Sequence, residues 1–303
     1  MYSRGSLCMY NWTMDEQDGT SPCSVERVHL CIRWHRQSDD PSTKYTADDD
    51  ILQSIYQQAR QLEADVTACF HSPNAMEFEC VKLPFLMTNK KKTYAAYEYP
   101  PIPYGWRSAR SILIKGFAIK KRDRCRFVQR IGVELIEHLL GSSQTETQIL
   151  DWFTTSVKTN YTHWPTNMEQ LSRFFITTRL ATTYKSDTVV APWVAELYEI
   201  ETGCRPKTDS RLRYVVASFS DNRKHYQCTV TLEMFLDKRM FLDTTYYLQK
   251  QLLLSIRQIL NLPQHNQLFR QIERCVQLTV QTSNNNQNGI RSIMSMLKRK
   301  PVA

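Results

Sequence analysis

From residue 51 onward, apolar residues recur along this chain at spacings that separate helices from strands. Ile51, Ile55, Leu62, Val66 and Phe70 fall near a helical period. Asp48, Asp49 and Asp50 stand just before them, where the helix dipole favours carboxylates, so a helix is predicted from this acidic start. Two apolar runs follow, Met76 to Met87 and Thr93 to Tyr99, on either side of Lys90-Lys91-Lys92, and this pattern predicts a hairpin with a lysine turn. After a proline-rich loop at 100–105, Ser111 to Ile119 reads as a third strand. Arg124 to Leu140 reads as an amphipathic helix with Phe127, Ile131, Leu135 and Leu139 on one side, closed by Gly141-Ser142-Ser143. Helical patterns dominate from Glu146: Thr147 to Val157, a segment around Met168 to Tyr184, Ala191 to Thr202 and Asp243 to Leu260. A strand pair is expected at Arg213 to Ser218 and Gln227 to Leu232. Residues 1–45 show little periodicity, apart from a short strand expected at Val28 to Trp34, and stay unassigned. At Gln281 the run TSNNNQNG has too few apolar groups to offset ordering entropy, which predicts a flexible tail over 279–303 with a short basic end.

The pattern therefore predicts an α+β protein: short antiparallel strands with helices over 46–143, then a mainly helical unit over 144–278. The length of 303 residues agrees, since one domain usually holds ~100 to 200. Charge adds a partner class. Lys and Arg total 39 against 30 Asp and Glu, a net charge of +9 that favours a polyanion, although a solvated basic surface gives the same figure. Acidic residues outnumber basic ones in the first fifty positions, so the positive excess belongs to the remainder. Nine cysteines are scattered with no Cys-x-x-Cys pair, which argues against zinc and against a disulfide scaffold, and for reduced thiols. No apolar stretch approaches the ~20 residues of a membrane span and no long apolar signal core opens the chain, so a soluble intracellular protein with no membrane partner is expected.

Four segments carry a resemblance. LDTTYYLQKQLLLSIRQIL, from Leu242 to Leu260, pairs an Asp and a Tyr-Tyr with a closing Arg-x-Ile-Leu. Lys91-Lys92-Thr93-Tyr94 follows EFECVKLPFLM. Lys115-Gly116 precedes Lys121-Arg122-Asp123-Arg124-Cys125 in the order Lys-Gly-x-x-x-x-Lys-Arg-Asp-x-Cys. Phe174 to Leu180, Ala191-Pro192-Trp193 and Arg211-Leu212-Arg213-Tyr214-Val215 complete the set. Together and in this order they resemble the palm hairpin and thumb of family B DNA polymerases. The departures are Ala96 for a glycine, Ala118 for a glutamate, Lys121 for an arginine, Arg126 for a proline, Trp193 for a histidine and Asp209-Ser210 for Gly-Asp.

The resemblance implies the C-terminal part of a polymerase palm over 46–143, a thumb over 144–278, and a grip on primer-template DNA. Lysine reaches phosphates or groove edges as a mobile point charge, and tyrosine offers a flat face and one hydroxyl, so both report duplex shape more than sequence. The DNA-binding candidates are Lys91, Lys92, Tyr94, Lys115, Gly116, Lys121, Arg122, Arg179, Lys185, Arg211, Arg213 and Tyr247. A bland reading stands beside each: a solvated lysine turn, surface charges, and core packing for the Tyr247 helix. Asp123 and Cys125 read as internal pairing and core.

The family's two metal-holding aspartate motifs, Asp-x-x-Ser-Leu-Tyr-Pro and Tyr-Gly-Asp-Thr-Asp-Ser, do not occur in the chain. Ser38-Asp39-Asp40 lacks both the Tyr-Gly turn and the alternate spacing. No catalytic or metal residue is assigned. The resemblance implies Mg2+ for a complete polymerase, with the catalytic aspartates on an upstream palm, fingers and exonuclease portion that acts as partner. The C-terminal zinc cysteines of cellular replicative polymerases are missing too, which points to a viral relative, herpesvirus-like or baculovirus-like, working in the host nucleus. Gln287, Ile290, Ile293 and Met294 have the spacing of a short docking helix for a processivity factor, or belong to a merely sticky tail. Two functions from different classes remain: the DNA-gripping part of a viral DNA-directed polymerase, and a non-catalytic DNA-binding or scaffold protein derived from one.

Overall fold

The structure is a computed structural model that describes residues 6–13, 27–32, 49–72, 75–100, 110–141, 144–186, 188–221 and 223–298. It has the expected α+β class. Two compact units divide the chain, 1–116 with 137–144 and 117–136 with 145–303. The chain passes between the units at 116/117, inside a helix at 136/137, and at 144/145, just after the Gly141-Ser142-Ser143 break that the sequence suggested.

The first unit is an antiparallel sheet in the order β2-β1-β3-β4-β5. Its strands are β1 (Ser6–Thr13), β2 (Arg27–Ile32), β3 (Ala75–Met87), β4 (Tyr94–Tyr99) and β5 (Ser111–Lys115). Helix α1 (Asp49–Thr67) lays Leu52, Ile55 and Ala59, one helical stripe, against Met76, Phe78 and Val81 of β3 and Tyr99 of β4. Hydrogen bonds fix the angle of approach. Thr67 Oγ1 accepts from the Met76 amide at 2.9 Å and Glu63 Oε1 from the Phe78 amide at 3.2 Å. One polar group breaks the apolar pattern of β3. Lys82 is buried, with its Nζ 3.2 Å from Glu98 Oε1 and 2.9 Å from Cys80 Sγ, and burial pushes the Cys80 thiol up to about 12. β5 stops at Lys115, four positions before the expected end, because Gly116 turns at a φ of 75° and a 3-10 turn follows at Ala118–Lys120.

The second unit opens with α2 (Arg126–Leu140), whose last residues group with the first unit, and α3 (Glu146–Asn160). Then come a single turn α4 (Met168–Leu171), β6 (Ile176–Arg179), α5 (Val190–Thr202), β7 (Arg211–Val216), β8 (Thr229–Val230) and α6 (Leu232–Asp237). A π-helix (Thr245–Leu253) runs into α7 (Leu254–Ile259), and α8 (Asn266–Lys298) ends the described chain. β6, β7 and β8 form a small antiparallel sheet. The helix expected around Met168 to Tyr184 is only one turn, Met168–Leu171, and a short strand follows it: the β-branched run Ile176-Thr177-Thr178 pairs with Leu212 to Tyr214.

Local signals set the helix ends. Thr145 Oγ1 accepts from the Gln148 amide at 3.3 Å while Gln148 Oε1 accepts from the Thr145 amide at 2.9 Å, a reciprocal capping box. Gly203, at a φ of 70°, ends α5 and returns its amide to Glu199 O at 2.8 Å. Thr145→Ala is expected to lower unfolding free energy by about 1 kcal/mol, read as an earlier denaturant midpoint. An unchanged midpoint would show that the box contributes nothing.

Phe174 lies at the centre of this unit, with Phe127, Tyr161 and Tyr247 at ring distances of 5.4, 5.7 and 5.6 Å. Tyr247 is fully buried; its Oη accepts from the Val216 amide at 3.0 Å and donates to Phe174 O at 2.9 Å. Of the two readings of Tyr247, core packing is the one the structure shows, and a DNA contact is excluded by burial.

The tail also differs from expectation. Residues 281–298 continue α8 in place of a flexible linker. Gln287 is buried and donates to Leu242 O at 3.0 Å and Thr244 Oγ1 at 3.1 Å, while Arg291 donates to Ser218 O at 2.6 Å and stands 5.6 Å from the Phe241 ring. These tertiary bonds supply what an Asn-rich run lacks in apolar area. Gln287 is consequently spent inside this chain and is not free to meet a partner. Ile290 is half-buried, and Ile293 and Met294 belong to the last turns of the same helix.

Candidate functional site

In the first unit the sheet holds the lysine turn out into solvent. The Thr88 amide donates to Thr93 O and the Thr93 amide to Lys90 O, both at 3.2 Å, while Thr88 Oγ1 receives the Lys90 amide at 3.3 Å. Lys90, Lys91 and Lys92 are exposed at the tip, and Lys92 takes a φ of 61°. Tyr94 leaves the turn on β4, half-buried, with its ring stacked on Phe85 at 5.3 Å and its backbone opposite Lys115 of β5. Gly116 closes this arrangement. A Cβ there would lie 2.3 Å from Lys92 O and 2.9 Å from Thr93 Cα, so the hairpin and the end of β5 approach as only glycine allows. The turn therefore presents a triple ammonium edge beside an aromatic face.

The second unit holds a separate basic site. The loop 121–125 ahead of α2 is pinned through its carbonyls: Gln129 Nε2 donates to Lys121 O at 3.2 Å and Arg124 O at 3.0 Å, and Gln251 Nε2 donates to Asp123 O at 3.2 Å and Tyr246 Oη at 2.9 Å. Below it Cys125 is fully buried, and burial pushes its thiol up to about 12. With the backbone fixed, Arg122, Arg124 and Arg126 recur every second residue and form one wall of a cleft of about 490 Å³. The other wall is the β6–β7 ribbon, where Thr177 stands opposite Arg213 and Arg211 lies two pairs further on, on the same face. Phe175 completes the lining, with the Arg126 and Arg213 guanidinium carbons 5.5 and 5.1 Å from its ring centroid.

The electrostatics of this cleft are one-sided. No carboxylate lines it, and among the described residues none of the five arginines forms an ion pair. Arg124 Nε is buried with no hydrogen-bond partner. Like charges crowded in this way repel unless an anion sits among them, and planar guanidinium groups suit phosphate oxygens through paired N–H donors.

The sequence candidates divide between the two units. Lys91, Lys92, Tyr94, Lys115 and Gly116 belong to the hairpin site, and Arg122, Arg211 and Arg213 to the cleft. Arg179, the cross-strand partner of Arg211, is paired with Asp209 at 2.9 Å and does not line the cleft, nor do the exposed Lys121 and Lys185 side chains. Sequence reasoning missed Arg124, Arg126, Gln129, Phe175 and Thr177. The available signal was the recurrence of arginine at every second position in Arg122-Asp123-Arg124-Cys125-Arg126, a density of positive charge just ahead of a helix. Among the described residues, no group of three or more His, Cys, Asp or Glu could hold a metal ion, so the donor set does not fit the Mg2+ that a complete polymerase needs. Ser38-Asp39-Asp40 lies outside the described residues. No helix among the described residues is long and apolar enough to cross a membrane.

The turn and the cleft are each basic, and each is carried by an antiparallel strand pair. The model for DNA polymerase family B matches residues 45–262, most of the chain, and this protein belongs to that family. It is similar to the DNA polymerase delta catalytic subunit of Drosophila melanogaster, 26% identical over 202 residues, which covers 66% of this chain and 18% of that subunit. The same subunit of Candida albicans is 25% identical over 195 residues, 64% of this chain and 18% of its own. A DNA polymerase of Paramecium bursaria Chlorella virus NY2A is 22% identical over 204 residues, 66% and 21% of the two chains. The chain thus matches only about a fifth of the length of these relatives. The family B DNA polymerase of the archaeon Pyrobaculum calidifontis aligns over 78% of this chain and 26% of its own, with a TM-score of 0.45 at 16% identity.

Proposed function

We propose that this chain is the palm-end and thumb part of a DNA-directed DNA polymerase, and that it grips primer-template duplex while catalytic aspartates on an upstream portion perform nucleotidyl transfer with Mg2+. The observation that carries this reading is the family match over 45–262 combined with an exposed lysine turn and a cleft whose five arginines form no ion pair among the described residues. The hairpin reads the shape of the duplex through Lys91, Lys92 and Tyr94, and the cleft holds phosphates of one strand through Arg122, Arg211 and Arg213, joined by Arg124 and Arg126. Neither contact distinguishes base sequence, as a copying enzyme requires. A viral setting in the host nucleus is part of this proposal; the similar proteins include both a viral polymerase and cellular delta catalytic subunits.

Duplex binding by the parent and by Lys92→Gln/Tyr94→Ala, followed across salt concentrations, tests the hairpin. The double variant is expected to bind about tenfold more weakly at low salt, with a flatter dependence of log affinity on log salt by roughly one phosphate contact. Identical binding at every salt concentration would remove the hairpin from the DNA interface. The rival function, a non-catalytic DNA-binding or scaffold protein of polymerase ancestry, is separated by primer extension. Activity restored by a co-purifying chain that carries the aspartate motifs supports the polymerase part, and stable DNA binding without such a chain supports the rival.

A further inference from the structure

The arginine cleft holds more positive charge than a strand of DNA can neutralise. Its volume of about 490 Å³ corresponds to a cube roughly 8 Å on edge, and a strand carries one charge per ~3.4 Å of axis, so only two or three phosphodiesters fit across it. Against them stand Arg122, Arg124, Arg126, Arg211 and Arg213, with no carboxylate in the lining. A linear triphosphate concentrates about four negative charges as a nucleotide tail and up to about five as the free ion in the same span, since a terminal phosphate carries up to ~2 and an inner one about 1. Its chain of non-bridging oxygens also meets guanidinium groups arriving from two opposite walls, one set by the pinned loop and the other by the β6–β7 ribbon. The Arg124 Nε, buried without a partner, leaves one polar group of this wall unsatisfied by the protein itself.

We propose that this cleft binds free linear oligophosphate, with triphosphate as the shortest form that suits it, and that such a ligand competes with DNA there. The competition rests on the DNA reading above; the binding does not. The oligophosphate can be inorganic or the tail of a nucleoside triphosphate. In the second case Phe175, already flanked by Arg126 and Arg213, is the surface available to a nucleobase.

Calorimetric titration of the full chain with sodium tripolyphosphate, orthophosphate and dATP tests this, alongside displacement of labelled duplex by tripolyphosphate. Tripolyphosphate should bind at one site at least about tenfold more tightly than orthophosphate. Arg126→Gln/Arg213→Gln should weaken it tenfold or more with an unchanged melting temperature, and Lys91→Gln/Lys92→Gln should leave it as it was. Equal affinity of dATP and tripolyphosphate assigns the site to the phosphate chain alone, and clearly tighter dATP assigns it to a nucleotide. Orthophosphate binding as tightly as tripolyphosphate, or a folded Arg126→Gln/Arg213→Gln variant binding like the parent, overturns the proposal. If tripolyphosphate binds as described but duplex is never retained, the DNA reading falls and oligophosphate binding stands. If duplex is retained but tripolyphosphate neither binds nor displaces it, only this inference falls.

Discussion

Replacing Tyr247 with phenylalanine is expected to lower the unfolding free energy of the second unit by about 2 to 4 kcal/mol, although only one oxygen is removed. That oxygen serves two backbone groups at once, the amide of Val216 on β7 and the carbonyl of Phe174 ahead of β6. Both lie beside fully buried side chains, and a group stripped of its partner there keeps its desolvation cost. Tyr247→Ala adds a cavity next to Phe174 and brings the loss to about 5 kcal/mol or beyond, near the whole stability of a typical domain. Denaturant unfolding followed by tyrosine and tryptophan fluorescence measures both. A Tyr247→Phe chain as stable as the parent would mean that these two bonds do not hold the ribbon to the π-helix.

The second large effect is expected at Gly116, and the protein contains its own control. Gly116 and Gly203 have nearly the same backbone angle, φ of 75° and 70°. A Cβ at Gly203 meets nothing within 4 Å, whereas at Gly116 it lands 2.3 Å from a backbone carbonyl oxygen. Gly203→Ala should therefore cost only the left-handed conformation, about 1 to 2 kcal/mol. Gly116→Ala carries that cost and must also push β4 away from the end of β5, for a total of at least about 3 kcal/mol. The displacement falls on Lys92 and Thr93, so duplex binding should decline with stability. Equal losses for the two variants would show that the hairpin yields freely and that the close approach has no rigid purpose.

What the sequence disclosed follows from where the information resides. The hairpin of β3 and β4 was legible because two apolar runs flank a lysine turn, and α1 and α2 because their apolar residues keep a helical period on one face. Neither property depends on distant residues. The helical course of 281–298 was not legible, because its stability comes from the bonds of Gln287 and Arg291 to Leu242, Thr244 and Ser218, which local composition cannot reveal. β6 was read as helix because Ile176–Arg179 is too short to display a strand period, and its partner lies some 35 residues further on in β7. The cleft was half legible. Arg122, Arg211 and Arg213 stood within recognisable segments, but Arg124 and Arg126 fell inside the stretch expected as an amphipathic helix, and Phe175 drew no notice beside its fully buried neighbour Phe174.

The wide helical turn at Thr245–Leu253 has a consequence for how the loop 121–125 is held. Gln251 reaches the hydroxyl of Tyr246, five residues earlier, and the carbonyl of Asp123 with the same amide. In an ordinary α-helix residues five apart diverge by about 140° around the axis, so this bridge exists only because the turn is dilated. Excising a single residue from the dilated stretch would restore standard winding, swing Gln251 out of phase with Tyr246, and release the loop while every arginine remained in the sequence.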